Sequence, residues 1–295
     1  MIERLRSYFL VEGSPLSLGI FRVIFGVALV IEATQNLKRV GYYTPSTFHF
    51  PYFDWISPLS ESTMTTIFTW QLVFAVCFGL GFLTRLSAAG VLLTQGYAFL
   101  ICALNFRNHV YLELLVTTVL LFSACGAAVS VDAVIGWAWR RWRHKAQDNP
   151  MHPEWVPITA QRVIGLQICC VYLYAALHKA TPGFLSGYPL SRFLPRAIRN
   201  STVGRWALPP DVLQAAADAM ATESWSALAA WLTVGAEGFL AVGLLFRPTR
   251  LAAVCVGIAL HLGIGLTMDI VTFGLVMTAA YLCFWTPRLR AQGAR

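Results

Sequence analysis

Ionisable side chains set inside long apolar stretches are where this chain could do chemistry. Arg22 and Glu32 share one such stretch, Glu113 lies in another, and a third begins at Arg162 and ends in His178 and Lys179. Glu237 and His261 occupy two more, and Asp269 closes the last of these. A charge at the centre of a hydrocarbon layer costs about 3 kcal/mol or more, so each of these groups needs a partner or water and marks a functional position by default. Lysine, histidine and carboxylate side chains are the usual carriers of protons in catalysis. His109 and Glu113 stand four apart and share one helical face.

Each group also has a structural reading that the sequence leaves open. Lys179 at a helix end suits a snorkelling anchor. Arg22 and Glu32 are separated by about 80° around a helix and ~15 Å along it, so they need different partners, as in ion pairs to neighbouring helices. Glu237 is a candidate partner for one of them. Arg162 reads as an anchor, Glu113 as a support for His109, and His109 as a turn cap with Asn108. His261 reads equally as a packing histidine or a site residue.

The elements that must position these groups follow from composition. Hydrophobic residues make up 57% of the 295 and charged ones 12%, more apolar surface than a soluble domain can hide. The net charge of +8 sits in short clusters between apolar runs, which fits loop charges that set membrane orientation rather than nucleic-acid binding. The expected fold is an all-α, polytopic transmembrane bundle of about eight spans, each of about 20 residues. The spans are 16 to 34, 65 to 84, 87 to 105, 111 to 129, 160 to 179, 226 to 246, 251 to 268 and 270 to 286. The first apolar run follows Glu3, Arg4, Arg6 and Glu12, lacks a small-residue cleavage site, and is expected to stay as the first span.

With both termini in the cytoplasm, that side collects Arg4, Arg6, Arg85, the Arg140, Arg141, Arg143, Lys145 run, Arg247, Arg250, Arg288, Arg290 and Arg295. The outer side receives residues 35 to 64, the Arg107 to Val110 turn, residues 180 to 225 and the turn near Asp269. Lys38, Arg39, Arg192, Arg196, Arg199 and Arg205 also fall outside, against that trend. The two long outer segments, the first with Tyr42, Tyr43, Pro45, Phe48, Phe50, Pro51, Tyr52, Phe53 and Trp55, read as interfacial caps. Residues 130 to 157, with Trp137, Trp139, Trp142 and Trp155, read as a cytoplasmic membrane-surface segment. This topology puts His109, Glu113, Lys179, His261 and Asp269 towards the outer end, where they are expected to converge on one cavity. Gly187, Tyr188 and Pro189 form a turn that leads the chain back across its mouth.

Other motif classes are absent. No phosphate loop or nucleophile elbow is found, and no histidine pair has zinc spacing within one helix. The seven cysteines all lie in apolar segments without redox or zinc spacing and read as small buried hydrophobes. No solenoid repeat stands out.

Several segments resemble, in order, the membrane domain of vitamin K-dependent gamma-carboxylases and their bacterial relatives, the horizontally transferred transmembrane (HTTM) domain. Leu16 to Val27 reads LSLGIFRVIFGV, with Phe21-Arg22 similar to the family's Phe-Arg pair. Phe50 to Leu59 (FPYFDWISPL), Gly81 to Ser87 (GFLTRLS), Asn108 to Leu112 (NHVYL) and Ser130 to Ala133 (SVDA) follow. The most specific match is Val171 to Tyr188, VYLYAALHKATPGFLSGY, which resembles the carboxylase segment holding the catalytic lysine and puts Lys179 in its place. His261, in ALHLGIG, resembles a histidine of the family's late span. His178 stands where the carboxylases carry a second lysine, and Thr181, Pro182 and Gly183 lack the acidic character of theirs.

The resemblance implies a single membrane domain over 1–295 and an enzyme acting on a quinol or similar lipid-soluble substrate at the outer side of the membrane. In the carboxylases a lysine is thought to deprotonate vitamin K hydroquinone, whose reaction with oxygen yields a stronger base, and the epoxide is left after carboxylation. Lys179 is then the base, made neutral by an apolar site. His109 and His261 orient the quinol or stabilise developing charge, and Asn108, Glu113, His178 and Tyr188 contact the substrate. The implied cofactor is vitamin K hydroquinone or another reduced isoprenoid quinone, and the implied setting is membrane lipid in a bacterial inner membrane. The chain has no counterpart of the large extramembrane region that grips protein substrates in the carboxylases, so carboxylation of a protein glutamate is not expected. The alternative is a non-catalytic membrane module that binds or escorts a small peptide or partner protein. A transporter would need broken-helix pairs or an inverted repeat, and neither is evident.

Overall fold

The computed structural model describes residue 9 and residues 11–103, 106–144, 155–285 and 289–291. Arg4, Arg6, Lys145, Arg288 and Arg295, used above to orient the chain, lie outside the described residues. Among the described residues the fold is helical apart from one small sheet, and the chain separates into two compact units, Met1–Ile164 with Trp285–Arg295, and Gly165–Phe284.

In the first unit the helices are α1 (Leu16–Lys38), α2 (Glu61–Leu80), α3 (Thr84–Ile101), α4 (Asn108–Leu121) and α5 (Val131–His144). A sixth, α6 (Thr159–Lys179), opens here and passes into the second unit at Gly165. Strands β1 (Val11–Gly13), β2 (Val156–Pro157) and β3 (Leu289–Ala291) form an antiparallel sheet in the order β2-β1-β3. Ser60 caps α2 by accepting the Thr63 amide, and Gly81 ends it in the left-handed region at φ 68°. Helices α1 and α2 meet at glycines, because a Cβ on Gly26 would overlap the Gly79 backbone. Small residues let helix backbones approach this closely when lipid supplies no hydrophobic drive between them. Phe21 stacks on Phe25 at 5.6 Å, and Phe25 meets Phe78 edge-on at 6.4 Å.

Three of the sequence motifs meet in one knot in this unit. Arg22 is fully buried and its guanidinium donates to the Val129 carbonyl. A Cβ on Gly81 would collide with that guanidinium. The Asp132 amide donates to the Gly81 carbonyl at 2.9 Å. In return the Asp132 carboxylate accepts the Leu83 and Thr84 amides, each at 2.8 Å, and the Thr84 hydroxyl at 2.7 Å. Asp132 therefore caps α3 from a distant part of the chain, a job no residue next to α3 performs. Burial pushes its carboxyl up, but the Thr84 hydroxyl and the two amides outweigh that and hold it below the usual carboxylate range. Leu83 and Val129 sit at φ 45° and 51°, conformations that side chains adopt only where the surroundings over-determine them.

The second unit continues α6 and adds the short helices α7 (Pro182–Leu185), α8 (Tyr188–Asn200), α9 (Thr202–Ala207) and α10 (Pro210–Met220). The long α11 (Glu223–Gly243) and α12 (Arg247–Met268) follow, then α13 (Val271–Ala279) and a 3-10 turn over Ala280–Phe284. The segment expected as an interfacial cap is thus a set of helices with its own small core of Leu194, Ile198, Leu213 and Ala217. Gly187 makes the expected turn at φ 80°, pressed on the backbone of Ala227. Asp269 ties the end of α12 to the start of α9, accepting the Ser201 hydroxyl and the Val203 amide at 2.9 Å and the Thr202 amide at 2.8 Å. It is a cap rather than a member of a charged cavity.

Among the described residues five helices, α1, α2, α6, α11 and α12, are long and apolar enough to cross a membrane, and α4 and residues Val271–Phe284 form shorter apolar helices. Only 17% of the most apolar window of α12 is buried, so Leu251, Ile258 and Leu262 face outward, which lipid tolerates and water does not. The expected span 111 to 129 is corrected. Its helix has 14 residues, about 21 Å at ~1.5 Å per residue, short of the ~30 Å hydrocarbon layer. Residues 122–130 instead fold into bends, with Cys125 and Ala128 buried, Gly126 against Thr84 and Ala128 against Gly19. A buried turn and a buried helix are equally apolar, so hydropathy alone reads through the boundary. Cys170 and Cys255 are exposed, which corrects the reading of all seven cysteines as buried.

Gly81→Ala is expected to cost about 2–4 kcal/mol, because it adds backbone strain and displaces a buried cation. Gly41→Ala, which meets nothing within 4 Å, should stay within about 0.5 kcal/mol; thermal unfolding of both variants in detergent gives the comparison. Asp132 titrates lower in the folded chain than in the unfolded one, so its stabilisation is present above the unfolded value of about 4 and fades as pH falls through the folded value. Asp132→Asn should therefore lower stability by about 1 kcal/mol at neutral pH, and the difference from the parent should shrink on acidification below pH ~4.

Candidate functional site

Each unit holds its own buried polar cluster. In the first, Glu32 lies near the C-terminal end of α1 with no accessible surface. Arg107, the residue before α4, brings Nη2 to 2.6 Å from one of its oxygens, and His109 Nε2 lies 3.6 Å from the other. The same Arg107 nitrogen reaches the Tyr43 hydroxyl at 3.4 Å, Tyr43 donates to Asn36 Oδ1 at 3.1 Å, and Asn36 Nδ2 donates to Gln71 at 3.3 Å. Asn36, Tyr43, Gln95 and Arg107 line a cavity of about 10 Å³, room for about one water molecule.

Two assignments change here. Glu113, fully buried, does not hold His109; it accepts from Gln95 Nε2 at 2.6 Å, while His109 turns to Glu32. Asn108 is the exposed first residue of α4 and makes no capping hydrogen bond.

In the second unit Lys179, the last residue of α6, pairs through Nζ with Glu237 Oε1 of α11. The lysine side chain is 32% exposed and the glutamate 6%, so the carboxylate is the desolvated partner and the ammonium the one open to a ligand. Glu237 therefore pairs with neither Arg22 nor Glu32. Its second oxygen, Oε2, is buried and has no hydrogen-bond partner. Tyr172 lies two turns before Lys179 on α6 and so shares its face. Its hydroxyl is 2.7 Å from His261 Nε2 and 2.5 Å from the Tyr281 hydroxyl. His261 meets Phe273 edge-on at 5.6 Å, and Lys179 lies within electrostatic reach of the imidazole. His178 points away, exposed and stacked on Tyr174 at 5.7 Å. Tyr188 is exposed beneath the Arg192 guanidinium.

The fold thus brings Lys179 and His261 into one unit and places His109, Asn108 and Glu113 in the other. Tyr172, Tyr281 and Gln95 were missed from sequence. Tyr172 was detectable, being a hydroxyl in an apolar run one helical face from Lys179. Tyr281 and Gln95 gave no such signal, because their partners lie far along the chain. The second cluster offers an ammonium, a half-satisfied carboxylate and an imidazole with one nitrogen unpartnered, a set suited to moving a proton and holding an oxygen. Among the described residues, no group of three His, Cys, Asp or Glu side chains is placed to hold a metal.

These features define an all-helical integral membrane protein with ionisable groups paired inside its helix bundles. The HTTM domain model matches residues 12–288, and the chain belongs to the HTTM-domain family. No solved structure matches it.

Removing one partner of a buried ion pair leaves the other uncompensated. Lys179→Met alone is expected to cost about 3 kcal/mol, and the double change with Glu237→Gln should recover most of it. A double-mutant cycle of thermal unfolding in nanodiscs checks this.

Proposed function

We propose that the chain is a membrane enzyme resembling the vitamin K-dependent gamma-carboxylases. In this reading it acts on vitamin K hydroquinone or another reduced isoprenoid quinone, with Lys179 as the base at the outer side of the membrane. In the same reading it crosses a bacterial inner membrane in about eight spans, with both termini in the cytoplasm. The observation that carries the reading is the Lys179–Glu237 pair, a half-open lysine held by a buried carboxylate.

A lysine can accept the quinol proton only when neutral. The pair supplies a route, because in a site cleared of water the ammonium can pass its proton to Glu237 and become an amine. The quinol O–H proton then moves to Nζ, and reaction of the quinolate with dioxygen leaves the epoxide and water. His261 assists from the same cluster. His109 is proposed to assist through the polar cluster of the first unit, against Glu32.

A second reading has its own support. Residues 182–220 form helices beyond the spans, and they expose Phe193, Trp206, Arg192 and Arg196, a surface suited to a small peptide or partner protein. That reading does not require Lys179 to react.

The deciding experiment is vitamin K epoxide formation by the purified protein in nanodiscs, supplied with reduced vitamin K and oxygen. The parent protein should form epoxide, and Lys179→Ala should lose at least about 100-fold. The folded Lys179→Met/Glu237→Gln double variant should be equally inactive, which separates loss of the base from loss of the fold. No epoxide from folded parent protein would remove the quinol reading and favour the binding module.

A further inference from the structure

His261 is 4% exposed, and its two ring nitrogens are treated differently. Nε2 meets the Tyr172 hydroxyl, which also meets the Tyr281 hydroxyl. Nδ1 is buried with no hydrogen-bond partner. A histidine kept only for packing would be expected to satisfy both nitrogens, since a buried polar atom left bare is costly.

The chain of three groups can run in two directions. Either Tyr281 donates to Tyr172 and Tyr172 to Nε2, or Nε2–H donates to Tyr172 and Tyr172 to Tyr281. A phenol is a stronger donor than a neutral imidazole, and an imidazole nitrogen is a stronger acceptor than a phenol oxygen. The first direction pairs the better donor with the better acceptor. It leaves the ring proton on Nδ1.

The backbone is shaped around this arrangement. Gly257 of α12 stands where a Cβ would overlap the Tyr281 hydroxyl, so the glycine makes room for that ring to reach Tyr172. Gly274 of α13 lies on the other side, where a Cβ would come 3.5 Å from His261 Cβ and 4.0 Å from Nδ1. The missing side chain keeps space beside the unpartnered nitrogen.

We propose that Tyr281 and Tyr172 are positioning residues whose hydroxyls fix His261 in its Nδ1–H form, so that this N–H is held beside Gly274 as the donor for an acceptor oxygen of the ligand. A quinone carbonyl and a quinolate oxygen are both oxygens of that kind. The ligand's identity rests on the quinol reading given above, whereas the tautomer does not.

The test is ¹⁵N-histidine NMR of the full chain in nanodiscs at neutral pH, with His261→Gln identifying the resonance. The parent protein should show a protonated Nδ1 and a bare Nε2. Tyr172→Phe should bring up the Nε2–H form, and Tyr281→Phe or Gly257→Ala should do so to a smaller degree through loss of the second hydroxyl. Loss of packing alone would not move the proton between nitrogens. Reduced vitamin K should shift the Nδ1–H proton signal in the parent, and this shift should be absent in Gly274→Ala, whose added methyl fills the space without a clash. An Nε2–H or doubly protonated ring in the parent, or a tautomer unchanged in both tyrosine variants, overturns the relay. An Nδ1–H ring whose signal ignores reduced vitamin K overturns the quinol as its ligand and leaves the relay standing.

Discussion

Placing a charge where water is scarce is the constraint on which the rest of this structure depends. Glu32 has no accessible surface and is met by Arg107 and His109. Glu237 is met by Lys179, and Arg22 is met by the Val129 carbonyl in the knot around Gly81. Each pairing joins residues far apart in sequence, so the helices are held in register by electrostatics as well as by packing. Apolar contact alone discriminates poorly among helix arrangements in lipid, because lipid tails are as apolar as leucine side chains. The paired charges add a partner preference that apolar contact lacks.

The knot and the two clusters divide the labour. Arg22, Gly81, Ser130 and Asp132 carry three of the motif signals, yet they act on the backbone: they end α2, cap α3 and turn the chain into α5. The cluster of the second unit keeps Glu237 Oε2 and His261 Nδ1 buried without hydrogen-bond partners, and the first unit likewise keeps Arg22 Nε, Gln95 Oε1 and Glu113 Oε1.

The polar clusters also show which signals a linear reading can carry. Lys179, Glu237, His261, Glu32 and Glu113 were all conspicuous, since an ionisable residue in an apolar run is rare enough to stand out alone. Their partners were not. Glu113 looked like a support for the histidine one turn away on its own helix, and the structure gives it Gln95 from the neighbouring helix instead. Asp269 looked like part of a charged cavity and caps the start of α9 instead. For Glu113 a nearest-in-sequence partner lost to one supplied by packing.

The sequence by itself determined that the chain is an all-helical membrane protein, where most of its long helices lie, and which residues carry unusual chemistry, because hydropathy and intramembrane charge are properties of residues in order. It also carried the family, whose domain model matches residues 12–288. Only the tertiary structure decided that residues 122–130 bend rather than continue a span, that Lys179 answers to Glu237, and that two tyrosines from distant helices converge on His261. Those outcomes depend on which helix faces meet. A one-dimensional pattern fixes each face and leaves the choice of its neighbour to the competition among buried charges and small-residue contacts.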